Sequence, residues 1–203
     1  MEMDFRGKRI SIDKELNRLD ELALLFSERL SAAGMGHVFV SGYVAILFGR
    51  NRSSEDVDVI CKTVQFETFA RFWKGISKKM ECVITKDART AYDDYLMEKT
   101  ALRFAYKGTF IPNVEMKFDK TSAHRRALAS PLIVEVNGDR LPIGPLEQQV
   151  AYKLYMGSEK DIEDARFLFK LFEEHLDKGE LAAELKALKV PHMEAMKNLG
   201  WSK

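Results

Sequence analysis

The chain has 203 residues, enough for one domain of ordinary size or a core domain with a helical appendage. Hydrophobic residues make up 46% and charged residues 31%, which excludes a disordered chain. Thirty-two basic residues against 31 acidic ones leave a net charge of +1, which argues against a protein that binds nucleic acid with its whole surface and leaves room for a local basic patch. Two cysteines, Cys61 and Cys82, stand outside any zinc-ligand spacing and read as reduced core thiols. The opening MEMDFRGKRISID has no apolar signal core, and no stretch has the apolar length of a membrane span, so the expected location is the cytoplasm.

Leu16, Leu19, Ala23, Phe26 and Leu30 fall at helical spacing and predict an amphipathic helix over residues 11–33, capped by Ser11 or Asp13 and closed by Gly34. Residues 37–40 read as a strand that runs into Ser41-Gly42 and a helix over 43–48. A polar loop over 49–55 carries Arg50 and Arg52. A second strand over 56–62 sets Val57, Val59 and Cys61 on one face and Asp56 and Asp58 on the other. Phe66, Phe69, Ala70, Trp73 and Ile76 predict a helix with a core-facing stripe. Residues 80–84 read as a strand, and 85–98 are polar and show no period.

Residues 100–106 and 109–118 read as a hairpin around Lys107-Gly108, with Pro112 at an edge or bulge. A short helix is expected over 121–129. A second hairpin over 132–136 and 140–143 turns at Asn137-Gly138. After Gly144-Pro145 only helices are expected, with Phe167, Leu168, Leu171 and Phe172 as a packing stripe. The fold class is thus α+β: a core of residues 1–144 with a mixed sheet flanked by helices and an N-terminal helix, then a helical region, 145–203, packed on it.

Chemistry concentrates in Val38 to Ile60. Gly42 lets the backbone approach a bound group closely, and the helix after it offers free N–H donors and a positive dipole end suited to a triphosphate. Asp56 and Asp58, two apart on a strand, lie side by side and repel unless a cation stands between them. Mg²⁺, or Mn²⁺, answers that need with hard oxygen ligands. Arg50 and Arg52 precede the pair and can neutralise phosphates, touch an acceptor or balance the aspartates. The histidines, His37, His124, His175 and His192, are scattered, which argues against a hydrolase triad.

This order of features resembles the first motif of the nucleotidyltransferase superfamily: a small-Gly turn, a helix, then an acidic-x-acidic strand. More narrowly it is similar to the branch that includes AbiEii-type toxins of abortive-infection toxin–antitoxin systems, which read Gly-Gly-Tyr-Ala and later Arg-x-Thr-x-Asp-Ile-Asp. Here Ser41-Gly42-Tyr43-Val44 is followed by Arg52-Ser53-Ser54-Glu55-Asp56-Val57-Asp58. Ser41 replaces a glycine and Ser54 a threonine. The resemblance implies a third carboxylate on a later strand, Glu115, where the branch commonly has Asp, with Asp119 as the substitute in another register. A further segment of the branch is similar to Pro145-Leu146-Glu147, Lys153 and Lys160-Asp161-Ile162-Glu163-Asp164. Lys153 is expected to reach inward to a phosphate or to Asp164.

The resemblance therefore implies an enzyme that moves a nucleotide from a nucleoside triphosphate to an RNA, protein or small-molecule acceptor. Asp56, Asp58 and Glu115 would hold the metal, and Ser41, Gly42, Arg52, Ser54, Lys153 and Asp164 would bind the nucleotide. Membership of a toxin–antitoxin pair, with a protein partner, follows by analogy only. Two alternatives stay open: a catalytically inactive protein of the same fold that binds nucleotide or a protein partner, and a scaffold acting through an apolar patch on its last helices.

Overall fold

The computed structural model describes residues 3–201. Its strands are β1 (Met3–Phe5), β2 (Arg9–Ile12), β3 (His37–Val40), β4 (Asp56–Cys61), β5 (Met80–Cys82), β6 (Leu102–Tyr106), β7 (Asn113–Phe118), β8 (Leu132–Val136) and β9 (Asp139–Ile143). They form one mixed sheet in the order β1-β2-β8-β9-β3-β4-β7-β6-β5. The helices are α1 (Arg18–Ala32), α2 (Gly42–Leu47), α3 (Phe66–Ile76), α4 (Ala88–Thr90), α5 (Ser122–Ala129), α6 (Leu146–Met156), α7 (Glu159–Phe172), α8 (Lys178–Ala187) and α9 (His192–Leu199). The α+β class with a mixed sheet, flanking helices and a helical C-terminal part is what the sequence pattern implies.

Alternation along the strands divides the sheet into two unlike faces. Phe39, Val57, Val59, Cys61, Val114, Met116 and Phe118 are buried in the large core, with Phe26 of α1 and Phe69 and Phe72 of α3. On the opposite face α5 covers only a small cluster: Val38, Ile60 and Ala127, with Val40 and Leu128. Beyond that cluster, the same face carries the acidic residues of β4. Cys61 and Cys82 are free and buried. Among the described residues no helix is long and apolar enough to cross a membrane.

Several expectations are corrected. The first helix starts at Arg18, not near Ser11, and Asn17 caps it by accepting from the N–H groups of Leu19 and Asp20 while Asp20 accepts from Asn17 N–H. Residues 9–12 form β2 instead, because Ile10 and Ile12 alternate into the core and β2 pairs in parallel with β8. The polar stretch after β5 holds α4 and a π-helical segment, Ala91–Leu96, which buries Ala91, Tyr92 and Leu96. Residues 109–112 are loop, so Pro112 lies just outside β7, a strand paired on both edges that has no place for a residue without an N–H. The stripe of α3 is centred on Phe69, Phe72 and Ile76, with Phe66 and Trp73 at its margin. Of the last two helices, only Met193 exposes a large apolar side chain among the described residues.

The Asn137-Gly138 turn forms as expected, with both residues at positive φ, 51° and 91°. Asn137 also accepts from Lys14 N–H and donates to the Lys14 carbonyl, both at 2.9 Å, which fastens the start of the chain to this hairpin. By contrast, β3 and β9 are paired in parallel at one position, Phe39 with Ile143, supplemented by Gly144 N–H donating to the Phe39 carbonyl at 2.9 Å.

His37 turns into the large core. Its Nδ1–H donates to the Met35 carbonyl at 2.9 Å, so Nε2 accepts from the Ser27 hydroxyl at 2.8 Å. Burial pulls the imidazole below its ordinary value of 6.5, against the opposing pull of the Met35 bond. The unfolded chain therefore takes up this proton first on acidification, so the His37 contribution to stability is complete above the unfolded value and is lost as pH falls below it. Thermal melts from about pH 7.5 to about pH 5 should show the midpoint falling on the acid side, and His37→Gln should flatten that slope.

Candidate active site

The carboxylates are placed by register. β4 and β7 run parallel with Asp56 beside Asn113, Asp58 beside Glu115 and Ile60 beside Lys117. Asp56, Asp58, Glu115 and Lys117 therefore share the face that α5 leaves open. Asp56 is exposed, and its Oδ1 accepts from the Ser54 hydroxyl at 2.9 Å. Asp58 and Glu115 are mostly covered, their side chains 20% and 23% exposed. Burial raises the Asp58 carboxyl above its ordinary range. Lys117 opposes the rise, Glu115 and Asp56 add to it by repulsion, and a hydrogen bond from Ser41 opposes it.

Each of the two inner carboxylates has a cation of its own. Lys117 Nζ lies 3.5 Å from Asp58 Oδ1, and Arg103 donates from Nε and Nη2 to Glu115 Oε2, both at 3.3 Å. With the side chains so engaged, no three His, Cys, Asp or Glu groups among the described residues converge as a metal cage. The donor set nevertheless fits a hard divalent cation. It offers only carboxylate oxygens, on neighbouring positions of paired strands, and the repulsion felt at Asp58 is what a cation relieves. Asp119 does not belong to the set. Burial would raise its carboxyl, but Thr63 N–H and Oγ1–H, at 2.8 and 2.9 Å, outweigh that with help from Lys99 and Arg125, and hold it below its ordinary value.

The turn after β3 is tight and strained. Ser41 has φ 68° and ψ −142°, a region that side-chain-bearing residues enter at a cost of about 1–3 kcal/mol. Its N–H donates to Gln149 Oε1 at 3.0 Å. Gly42 follows, and a Cβ there would overlap Arg52 Nη2, so the guanidinium lies directly on the glycine backbone.

Arg52 belongs to a buried ion cluster between the polar loop, α6 and α7. Asp164 is fully buried and faces three cations: Lys153 Nζ at 2.6 Å, Arg50 Nη1 at 2.9 Å and Arg52 Nε at 3.3 Å. Arg50 also reaches Glu163 at 2.6 Å, and Lys153 lies 3.5 Å from Asp161. Yet Arg52 Nε meets Asp164 only as an ion pair without hydrogen-bond geometry, and Nη1 finds no partner at all, although the side chain is only 10% exposed. A buried guanidinium N–H left in that condition is a candidate donor to an anion.

The structure thus gathers Asp56, Asp58, Glu115, Ser41 and Ser54 around the open sheet face, and Gly42, Arg52, Lys153 and Asp164 in the adjoining cluster. Arg50 and Arg52 balance Asp164 and not the β4 aspartates. Sequence reading missed Arg103, Lys117 and Gln149. Lys117 shares the alternation of Glu115, and Gln149 sits one turn before Lys153, so both carried a signal; Arg103 needed the β6–β7 register.

No protein-family model matches the chain, and no curated protein matches it. Solved structures do. An antigenic nucleotidyltransferase-like protein from Paracoccidioides brasiliensis superposes with a TM-score of 0.55 at 16% identity, covering 89% of this chain and 91% of that one. The antibiotic-resistance factor ANT(2'')-Ia gives 0.53 at 9% identity, covering 85% and 93%. A nucleotidyltransferase toxin from Mycobacterium tuberculosis H37Rv reaches 0.42 at 19% identity over 85% and 62%, a value that adds nothing to the assignment. The fold is that of the nucleotidyltransferase-like proteins.

Because Asp164 answers three cations, its loss should cost more than the loss of any one of them. Asp164→Asn is expected to lower unfolding free energy by about 3–5 kcal/mol in urea titrations, and Lys153→Met, which leaves both arginines on Asp164, by clearly less.

Proposed function

We propose that the protein is a metal-dependent nucleotidyltransferase that moves a nucleotide from a nucleoside triphosphate to an RNA, protein or small-molecule acceptor. The observation that carries this reading is the in-register pair Asp58 and Glu115, with Asp56, on the open sheet face, next to a turn where Arg52 Nη1 has no partner. Asp56, Asp58 and Glu115 would hold Mg²⁺ or Mn²⁺. When bound, such an ion supplies charge neutralisation at the phosphates and lowers the pKa of an acceptor hydroxyl.

The chain's own residues do the positioning. Arg52, over Gly42, gathers phosphate charge, with Nη1 unpartnered, and Lys153 and Asp164 fix where that guanidinium stands. Ser54 donates to Asp56 and orients that carboxylate. Catalysis on this plan is mostly orientation and electrostatic stabilisation. Residues 1–144 act as the catalytic core, and residues 145–203 as the helical region that contributes Lys153 and Asp164. The protein acts in the cytoplasm, in keeping with two free thiols. The likeness of Arg52 to Asp58 to the abortive-infection branch supports a place in a toxin–antitoxin pair, with an antitoxin as protein partner.

A second reading, a fold kept for binding nucleotide or a protein partner without turnover, is favoured by the hold of Arg103 on Glu115. Calorimetry with a mixture of nucleoside triphosphates, with and without Mg²⁺, tests the first step. The intact protein should bind only with Mg²⁺, and the Asp56→Ala/Asp58→Ala double variant should lose at least about 2 kcal/mol of binding free energy. Metal-independent binding that survives in the double variant would favour the second reading, and no binding at all would remove both nucleotide readings.

A further inference from the structure

Ser41 occupies a backbone region that glycine enters freely and serine does not. Such a conformation persists only when its surroundings impose it. The side chain that meets this turn is Gln149. This side chain is buried, on the first turns of α6, and spans the turn with both ends of its carboxamide. Oε1 accepts from Ser41 N–H at 3.0 Å, and Nε2 lies 3.5 Å from the Phe39 carbonyl. The amide orientation follows from the partners, since one is a donor and the other an acceptor. The chain makes room for it at Gly144, where a Cβ would meet Nε2 at 3.1 Å and Val40 Cγ1 at 3.3 Å.

The consequence falls on the site. With Ser41 in this geometry the following Gly42 presents its bare backbone to Arg52. Without the clamp, serine gains by relaxing toward negative φ, which turns the hydroxyl and the Gly42 backbone elsewhere. We propose that Gln149 is a positioning residue of the candidate active site: it holds Ser41 in a left-handed conformation and so sets the Ser41–Gly42 turn for phosphate binding. Its binding consequence rests on the nucleotidyltransferase reading above; its effect on the turn does not.

Two measurements separate these. Amide exchange followed by NMR reads the clamp itself. Ser41 N–H should exchange about 100-fold faster in Gln149→Leu than in the intact protein, while the Gln149→Glu variant, which keeps an acceptor for that N–H, retains the protection. Calorimetry with Mg²⁺ and inorganic tripolyphosphate, a probe shared by every nucleoside triphosphate, reads the consequence. Gln149→Leu should weaken binding about tenfold or more, and adding Ser41→Gly should restore most of it, since glycine holds the turn unaided. A merely structural glutamine would not be rescued in this way. Unchanged Ser41 exchange in Gln149→Leu, or a binding loss that Ser41→Gly leaves in place, overturns the proposal. Failure of the intact protein to bind tripolyphosphate overturns the nucleotide reading, and the exchange at Ser41 then decides the clamp alone.

Discussion

A fully buried carboxylate is tolerated only when cations meet it, and Asp164 organises this molecule through that requirement. Lys153 comes to it from α6, and Arg50 and Arg52 come from the loop between α2 and β4. Three separate stretches of chain are thereby drawn to one point. The polar loop cannot drift, because two of its arginines are committed. The bond is not made for stability alone, since buried ion pairs contribute little net free energy over apolar packing. What the cluster fixes is the location of a guanidinium over Gly42.

The second constraint is the parallel pairing of β4 with β7. Side chains on adjoining parallel strands stand beside their register partners, so Asp58 and Glu115 are neighbours by backbone geometry before any rotamer is chosen. A slip of one residue would send Glu115 into the core and bring Val114 or Met116 out, at the cost of a buried charge. The apolar alternation of β7 therefore protects the acidic arrangement on its other face. Lys117 and Arg103 stand beside these carboxylates and offset their mutual repulsion.

Much of this was legible in the sequence where the signal was local. Asp56 and Asp58 declared themselves by spacing, and the Asn137-Gly138 turn by residue type. The strands β3, β4 and β7 followed from alternation over short runs. What was not legible depended on distant partners. β2 is four residues long, and Ile10 and Ile12 gain their burial from β8, more than a hundred positions later. The N-terminal helix was extended too far because Ser11 and Asp13 satisfy the cap pattern as well as Asn17 does. Balancing the adjacent aspartates is one of three roles the sequence leaves open to Arg50 and Arg52, and only the packing of α7 shows that Asp164 claims them. Gln149 was overlooked because glutamine on a helix is ordinarily a surface residue, and only its burial reveals that it is not.

The sheet has a weak seam. Every other neighbouring pair of strands shares at least three aligned positions, whereas β3 and β9 share one. The seam divides the sheet into a block of β1, β2, β8 and β9 and a block of β3, β4, β7, β6 and β5, and α1 lies across both, touching β9, β4 and β7. The acidic residues belong entirely to the second block, while Gln149, Lys153 and Asp164 follow the first in the chain. Cohesion between the blocks is therefore carried by side chains more than by backbone, through α1, the Gln149 carboxamide and the Asp164 cluster. Molecules built this way yield first along the line of fewest backbone bonds, so partial opening would part the acidic strands, with Ser41, Gly42 and Arg52, from Gln149, Lys153 and Asp164 while leaving each block folded. In this protein the weakest line of the architecture runs through the candidate active site.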